Sequence, residues 1–269
     1  MLGAIIGDII GSRWEFSPTN DYHFELFSDE NDYTDDTVCT IAVADAILQH
    51  KDYGSTLHQW CRRYRHPKGS YGGRFARWIN EDNPTPYGSF GNGSAMRVSA
   101  VGWAFADQES VLANAKASAE CTHNHPEGIK GAQTVALAIH LALRMRKACA
   151  GNPISHEAVQ EMVIAPCVSF SGYNLDIRYQ DVVNKFDETC QGTVPVALHI
   201  IGRSNSFLDA IRRAVSLGAD ADTLGAIVGS IAEVLWPIPD ETRQKALHYL
   251  PAEMLQILKD FTASFPAGH

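Results

Sequence analysis

Five glycines at four-residue spacing constrain the fold of this chain more than any other feature. Gly3, Gly7 and Gly11 lie in one apolar segment near the start, and Gly225 and Gly229 lie in another near the end. Each glycine costs a helix about 1 kcal/mol relative to alanine, so this regular placement requires a compensating interaction. Residues four apart share one face of a helix, where glycine lets another backbone approach. We therefore expect two central helices, one early and one late, that cross tightly.

The remaining sequence also carries helical periodicity. Apolar residues recur at three- and four-residue spacings, whereas alternating, strand-like runs are scarce and Pro195 interrupts a β-branched cluster. The pattern predicts an all-α fold. The expected helices lie near residues 3–14, 35–50, 54–66, 92–106, 108–121, 126–149, 155–169, 205–217, 222–236 and 251–263.

Composition favours one compact domain over residues 1–269, because 45% hydrophobic content fills a sizeable core and no linker divides the chain. No apolar run approaches the roughly 20 residues of a membrane span, and the first residues lack the basic flank of a signal peptide. We expect a cytoplasmic protein with no membrane partner. The net charge of −9 argues against a broad nucleic-acid-binding face.

Two short motifs combine carboxylates with a threonine hydroxyl, each directly before an apolar-periodic segment where a helix should begin. A helix dipole offsets only about 0.3 to 1 kcal/mol per anion, so a cation is the simpler compensation for such crowded charge. Oxygen ligands suit hard ions such as Mg²⁺, Mn²⁺ or Ca²⁺, and two motifs indicate two ions. The alternative is simple helix capping, although capping needs one acceptor and each motif supplies three. The candidate ligands are Thr34, Asp35, Asp36, Asp220, Asp222 and Thr223.

Glu15 is the candidate general acid or base. It follows Asp8 by seven residues, which is two helical turns, so the two carboxylates can share a face. A carboxylate beside a metal pair is suited to proton transfer. The alternative is a solvent-exposed residue at a helix end.

Two glycine-dense segments and one histidine are candidates for substrate binding. Backbone N–H groups of such loops can cradle phosphate, and Phe90 can stack on a base; ordinary turns and a buried aromatic are the alternatives. His123 can face substrate, cap a helix or, less readily, bind zinc together with Cys121. The candidates are Tyr71, Gly72, Gly73, Gly88, Ser89, Phe90, Gly91, Asn92, Gly93 and His123.

In combination these motifs resemble the ADP-ribosylglycohydrolase family, which includes dinitrogenase-reductase-activating glycohydrolase. The resemblance rests on Gly7-Asp8-x-x-Gly11-x-x-x-Glu15, Thr34-Asp35-Asp36-Thr37, Gly91-Asn92-Gly93-Ser94-Ala95-Met96-Arg97, Thr122-His123 and Asp220-x-Asp222-Thr223. It runs from Gly3 to about Pro239. Ala219 and Cys39 depart from the family's usual glycine and methionine, but neither change removes a ligand oxygen.

The resemblance implies an orthogonal helical bundle with two divalent cations, Mg²⁺ or Mn²⁺, held by the six candidate ligands. It implies that Glu15 lies near the scissile bond, that 88–93 and His123 lie beside adenosine, and that 71–73 contact the diphosphate. The expected enzyme removes ADP-ribose from an ADP-ribosylated acceptor, with arginine on a protein as the leading choice and serine, oligomeric ADP-ribose or nucleic acid behind it.

Two other functions remain open at this point. One is a non-catalytic ADP-ribose-binding or structural member of the family, which the complete ligand set argues against. The other is a helical two-metal phosphohydrolase. Such enzymes commonly use His-Asp pairs, and this sequence contains no His-Asp dipeptide.

Overall fold

The computed structural model describes residues 1–149 and 152–266, and it confirms the all-α prediction. Extended backbone pairs only in two isolated bridges within this part of the chain, Thr34 with Lys68 and Gly91 with Thr189. The helices are α1 (Leu2–Gly11), α2 (Asp35–Leu48), α3 (Tyr53–Arg63), α4 (Gly73–Asn80), α5 (Gly93–Met96), α6 (Ser99–Ala104), α7 (Gln108–Glu120), α8 (Pro126–Cys149), α9 (His156–Val159), α10 (Ala165–Ser171), α11 (Tyr179–Val182), α12 (Cys190–Ile201), α13 (Phe207–Val215), α14 (Ala221–Leu235), α15 (Asp240–His248) and α16 (Ala252–Ser264), with a π-helical turn (Gln160–Ile164) between α9 and α10.

The predicted crossing of two glycine-bearing helices is confirmed at the centre of the molecule, where α1 packs against α14. A Cβ atom added to Gly225 would lie 2.6 Å from the Gly7 carbonyl oxygen, and one added to Gly7 would collide with Gly225. Cβ atoms at Gly3 and Gly11 would also meet the α14 backbone. The helix axes therefore approach more closely than any side chain permits, which brings the C-terminal end of α1 to the N-terminal end of α14.

Several predicted helix boundaries were wrong, and one of them affects the site. The first helix ends at Gly11 rather than near residue 14, so Glu15 lies in the turn that follows. The predicted helix 92–106 is divided into α5 and α6. Helices α4, α11, α12 and α15 were not predicted; in α12 the interior Pro195 concealed the helical pattern.

Many of the helices begin after a residue whose side chain caps the first turn. The Thr34 hydroxyl accepts a hydrogen bond from the backbone N–H of Asp36 at 3.2 Å, which starts α2 as an N-cap residue does. Asp52, Asp107, Ser155, Thr189 and Ser206 cap α3, α7, α9, α12 and α13 in the same way. No helix in the described ranges is long and apolar enough to cross a membrane.

Candidate metal centre

Three buried carboxylates converge where the ends of three helices meet. Asp8 comes from the C-terminal half of α1, Asp36 from the first turn of α2 and Asp222 from the first turn of α14. One carboxylate oxygen from each lies within 4.8 Å of the others, and all three side chains are buried. The crossing of α1 and α14 brings Asp8 and Asp222 together, and the start of α2 adds Asp36.

Asp8 fixes the start of α2 against α1. Its Oδ1 accepts a hydrogen bond from the Thr34 hydroxyl at 2.7 Å, and its Oδ2 accepts from the Thr34 backbone N–H at 3.1 Å. The same Oδ2 accepts from the Thr37 N–H at 3.0 Å and from the Thr37 hydroxyl. Four donors thus face the Asp8 carboxylate. Two of them are backbone N–H groups, which have no intrahelical partner at the start of a helix, and Asp8 satisfies both.

The centre contains two buried oxygens that lack hydrogen-bond partners among the described residues, Oδ1 of Asp36 and Oδ1 of Asp222. The other oxygen of Asp36 accepts from the Thr223 hydroxyl at 3.0 Å. Buried carboxylate oxygens without partners are costly, and their cost is removed by a cation. The donor set consists of carboxylate and hydroxyl oxygens, so these residues fit a hard divalent ion.

Crowding of these carboxylates favours their protonated forms in the metal-free chain. Burial and the nearby charge of Asp222 raise the pKa of Asp8 to about 7, even though hydrogen bonds from Thr37 and Thr34 act in the opposite direction. Burial and neighbouring carboxylates also raise the pKa of Asp36 well above its ordinary value, and burial raises that of Asp222. A positive charge at this centre would reverse these shifts.

Asp220 stands at the N-cap position of α14, but its side chain makes no capping hydrogen bond. Its Oδ2 instead accepts from the side-chain amide of Asn92 at 2.7 Å. The Asn92 amide also donates to the Thr193 hydroxyl at 3.1 Å, and its backbone N–H donates to the Glu188 carbonyl at 2.6 Å. Simple capping therefore does not account for Asp220, and Asn92 connects it to the glycine-rich segment.

Asp35 lies at the edge of the buried group rather than within it. Consecutive helical residues point about 100° apart, so Asp36 faces the centre and Asp35 is only half-buried. Burial, together with the nearby charges of Asp222 and Asp8, raises the pKa of Asp35 well above its ordinary value.

Glu15 reaches the centre from the turn after α1 and not from the helix face that the seven-residue spacing predicted. Its carboxyl group lies close enough to that of Asp222 for the Asp222 charge to act on it, and a side chain on Gly69 would collide with it. The bridge between Thr34 and Lys68 brings Gly69 to this position. Burial and the charges of Asp222 and Asp8 raise the pKa of Glu15 to about 8.

The predicted adenosine-side residues lie together. Cβ atoms added to Gly91 and Gly93 would stand 3.6 and 3.3 Å from Nε2 of His123. The His123 ring is buried with Nδ1 2.7 Å from the Thr122 hydroxyl, and burial lowers its pKa well below the ordinary value.

Phe90 is 41% exposed, with its ring 5.2 Å from the ring of His125. A buried structural role for Phe90 is therefore wrong.

The segment 71–73 surrounds the start of α4. The Tyr71 hydroxyl donates to the carbonyl of Tyr64, the residue that follows α3, at 2.6 Å, so its ring is held at the C-terminal end of that helix. Cβ atoms added to Gly72 or Gly73 would meet nothing within 4 Å. These glycines therefore border open space, and no close backbone approach explains them.

The expected helix crossing brings residues near 8–15, 34–37 and 220–223 together, but sequence reasoning did not include Asp8 among the candidate ligands, although a carboxylate inside the apolar stretch Ile5-Ile6-Gly7-Asp8-Ile9 was a sufficient signal. A charged side chain in a fully buried helix requires a partner or an ion. Glu188 was also missed; its charge adds to the raised pKa of Glu15, and no sequence pattern connected the two.

Comparisons with known proteins show the family to which this chain belongs. The family model described as ADP-ribosylglycohydrolase matches residues 1–266. The chain is 29% identical to ADP-ribosylarginine hydrolase Tri1 of Pseudomonas putida over 88% of its length and 70% of the relative, and 24% identical to human ADP-ribosylhydrolase ARH3 over 95% and 90%. A solved chain titled ADP-ribosylglycohydrolase-related protein complex superposes with a TM-score of 0.70 at 22% identity, covering 98% of this chain and 96% of that one. The chain belongs to the ADP-ribosylglycohydrolase family.

Proposed function

We propose that this chain hydrolyses the glycosidic bond between the distal ribose of ADP-ribose and an acceptor, with ADP-ribosylated arginine on a protein as the preferred substrate. Family membership supports a glycohydrolase that removes ADP-ribose, and the similarity to an ADP-ribosylarginine hydrolase favours arginine. The observation that carries the proposal is the convergence of Asp8, Asp36 and Asp222 beside Glu15.

Two divalent cations, Mg²⁺ or Mn²⁺, belong to this proposal. The residues that would hold them are Thr34, Asp35, Asp36, Asp220, Asp222 and Thr223, with Asp8 orienting Thr34 through hydrogen bonds. When bound, such ions orient ribose hydroxyls and water and stabilise developing negative charge. The partnerless oxygens of Asp36 and Asp222 support this assignment.

Glu15 is the proposed proton carrier. Its carboxyl group comes from the turn after α1, is less buried than the trio and lies within electrostatic reach of Asp222. In its protonated form it would donate to the departing acceptor atom, and in its ionised form it would accept a proton from the attacking water. Gly69 leaves room for this side chain, since any larger residue there would displace it.

The rest of ADP-ribose would extend along the glycine-rich loops beside the centre. Phe90 offers an exposed ring for the adenine, and Gly88–Gly93 and His123 would surround the adenosine. The open space at Gly72 and Gly73 would admit the diphosphate, whose charge suits the backbone N–H groups at the start of α4.

The decisive experiment incubates the protein with ADP-ribosyl-arginine, ADP-ribosyl-serine and ADP-ribosylated DNA, each with Mg²⁺, Mn²⁺ or a chelator, and measures released ADP-ribose. We expect the fastest release from arginine and none with the chelator. Release from serine or DNA alone would contradict the proposed substrate. Binding of ADP-ribose without release from any substrate would instead support a non-catalytic member of the family.

A further inference from the structure

Two large aromatic side chains lie exposed beside the centre and stack on each other. Phe16 is 70% exposed and Phe186 is 46% exposed. Their ring centroids are 6.2 Å apart with an angle of 29° between the planes. Exposed apolar groups that are not isolated commonly mark an interaction site, and this pair has no part in the core.

The position of this aromatic pair relates it to the reaction centre. Phe16 directly follows Glu15, and Phe186 precedes Glu188 by two residues. The Glu188 carbonyl accepts from the Asn92 backbone N–H at 2.6 Å, and the Asn92 amide binds Asp220. The stacked rings therefore connect the segment that carries Glu15 to the segment that supports Asp220.

A cavity of about 680 Å³ opens on the Glu15 and Phe16 side of the centre. The glycine-rich segment 88–93 and His123 do not line it, so it lies apart from the loops proposed for adenosine. Its charged lining has four acidic and two basic residues, namely Glu15, Asp29, Glu30 and Asp32 against Arg13 and Lys68. We name it the acceptor groove.

Arg13 and Trp14, the basic and aromatic residues that precede Glu15 and Phe16 in the chain, are already engaged. The Arg13 Nε is 2.7 Å from Glu30, and its guanidinium lies 4.6 Å from the centre of the Trp14 ring. Trp14 also makes an edge contact with Phe24 at 5.8 Å. Within residues 13–16, Phe16 is therefore the aromatic residue whose ring keeps a free face for a ligand. Because acidic residues outnumber basic ones in the acceptor groove, the groove favours a cation over an anion.

We propose that the exposed face of Phe16, supported from behind by Phe186, binds the guanidinium of the acceptor arginine, and that the acceptor groove receives the polypeptide around that arginine. This inference rests on the proposed function, because it assigns the acceptor side of the same scissile bond. A guanidinium over an aromatic face gains cation–π attraction, whose usual strength corresponds to about 2- to 30-fold in affinity. A serine linkage offers no cation to the ring.

The test measures binding in a Glu15→Gln background, where slow turnover preserves the ligand. Two peptides of matched sequence, one modified on arginine and one on serine, and free ADP-ribose are titrated in calorimetry. Phe16→Ala and Phe16→Leu should each weaken the arginine-linked peptide about 2- to 30-fold, Phe16→Trp should retain it, and the other two ligands should bind unchanged. Phe170→Ala removes an exposed ring of α10 and serves as the matched control.

The outcomes separate this inference from the proposed function. Equal losses for all three ligands would place Phe16 against the nucleotide and overturn the inference, as would unchanged binding of the arginine peptide. Full affinity in Phe16→Leu would show that the ring only covers apolar surface, which also overturns it. If the wild-type protein releases no ADP-ribose from arginine, the proposed function fails, while the binding ratios still decide the role of Phe16.

Discussion

The carboxylate of Asp8 accepts two hydrogen bonds from Thr34, from the hydroxyl at 2.7 Å and from the backbone N–H at 3.1 Å. The two residues are 26 positions apart, and the contact ties the end of α1 to the start of α2. Because Thr34 also caps Asp36, Asp8 determines where two of the proposed ligand residues stand.

Asp8→Ala is expected to destabilise the metal-free protein by about 2 to 5 kcal/mol, because it leaves buried donors of Thr34 and Thr37 without acceptors. Asp8→Asn keeps one acceptor for the two backbone N–H groups, and its amide can donate to the Thr34 hydroxyl, so we expect a cost below about 1 kcal/mol. Urea unfolding in chelator measures both. Equal destabilisation by the two variants would contradict the positioning role.

Asp222→Ala is expected to remove metal binding and turnover together, because Asp222 contributes a buried oxygen without a hydrogen-bond partner. In the wild type, a metal at 100 times its Kd should raise the free energy of unfolding by about 2.7 kcal/mol, so chelation should lower Tm. Asp82→Ala removes an exposed carboxylate and is the control. An unchanged Tm in chelator, with no metal found by elemental analysis, would refute the metal centre.

Stabilisation by the metal should increase with pH. The pKa values of Asp8 and Glu15 are raised from 3.8 and 4.5 to about 7 and about 8 in the metal-free fold, so these groups contribute stability that is fully present below the ordinary values and is lost as pH rises from there to the raised values. A cation bound beside them favours their ionised forms, so binding releases their protons at pH 6, whereas at pH 8.5 both groups are already largely ionised. The difference in Tm between Mn²⁺ and chelator should therefore be larger at pH 8.5. A difference that shrinks with rising pH would count against a carboxylate site.

Glu15→Gln keeps the size of the side chain but cannot exchange a proton at neutral pH. If Glu15 is the proton carrier, kcat should fall by roughly 10² to 10⁴, while the Kd for free ADP-ribose changes little. Steady-state kinetics and calorimetry measure the two quantities on one preparation. A variant that hydrolyses at nearly the wild-type rate would show that another group moves the proton.

Phe90→Ala should weaken ADP-ribose binding about 5- to 150-fold, since stacking of a base on an aromatic ring contributes about 1 to 3 kcal/mol. Metal content should stay the same. Ribose 5-phosphate has no base, so its affinity should hardly change. Calorimetric titration of both ligands into the wild type and the variant tests this prediction. Equal losses of affinity for the two ligands would mean that Phe90 supports the fold and does not bind the adenine.

The sequence alone determined the class of fold and the positions of the two acidic motifs at helix starts. Helical periodicity is a local property, and the glycine spacing predicted the α1 and α14 crossing because only glycine permits so close an approach. The two Asp-Thr motifs were correctly placed at helix starts, since capping and acidic residues follow local backbone geometry.

The tertiary structure decided which of these side chains meet. Spacing along one helix gives a direction around that helix, but convergence depends on how three helix ends cross. Asp8 therefore joined Asp36 and Asp222, while Asp35 turned partly outward. Glu15 reached Asp222 through a turn because α1 ends at Gly11. Phe16 met Phe186 across 170 residues of sequence through packing that no local pattern encodes.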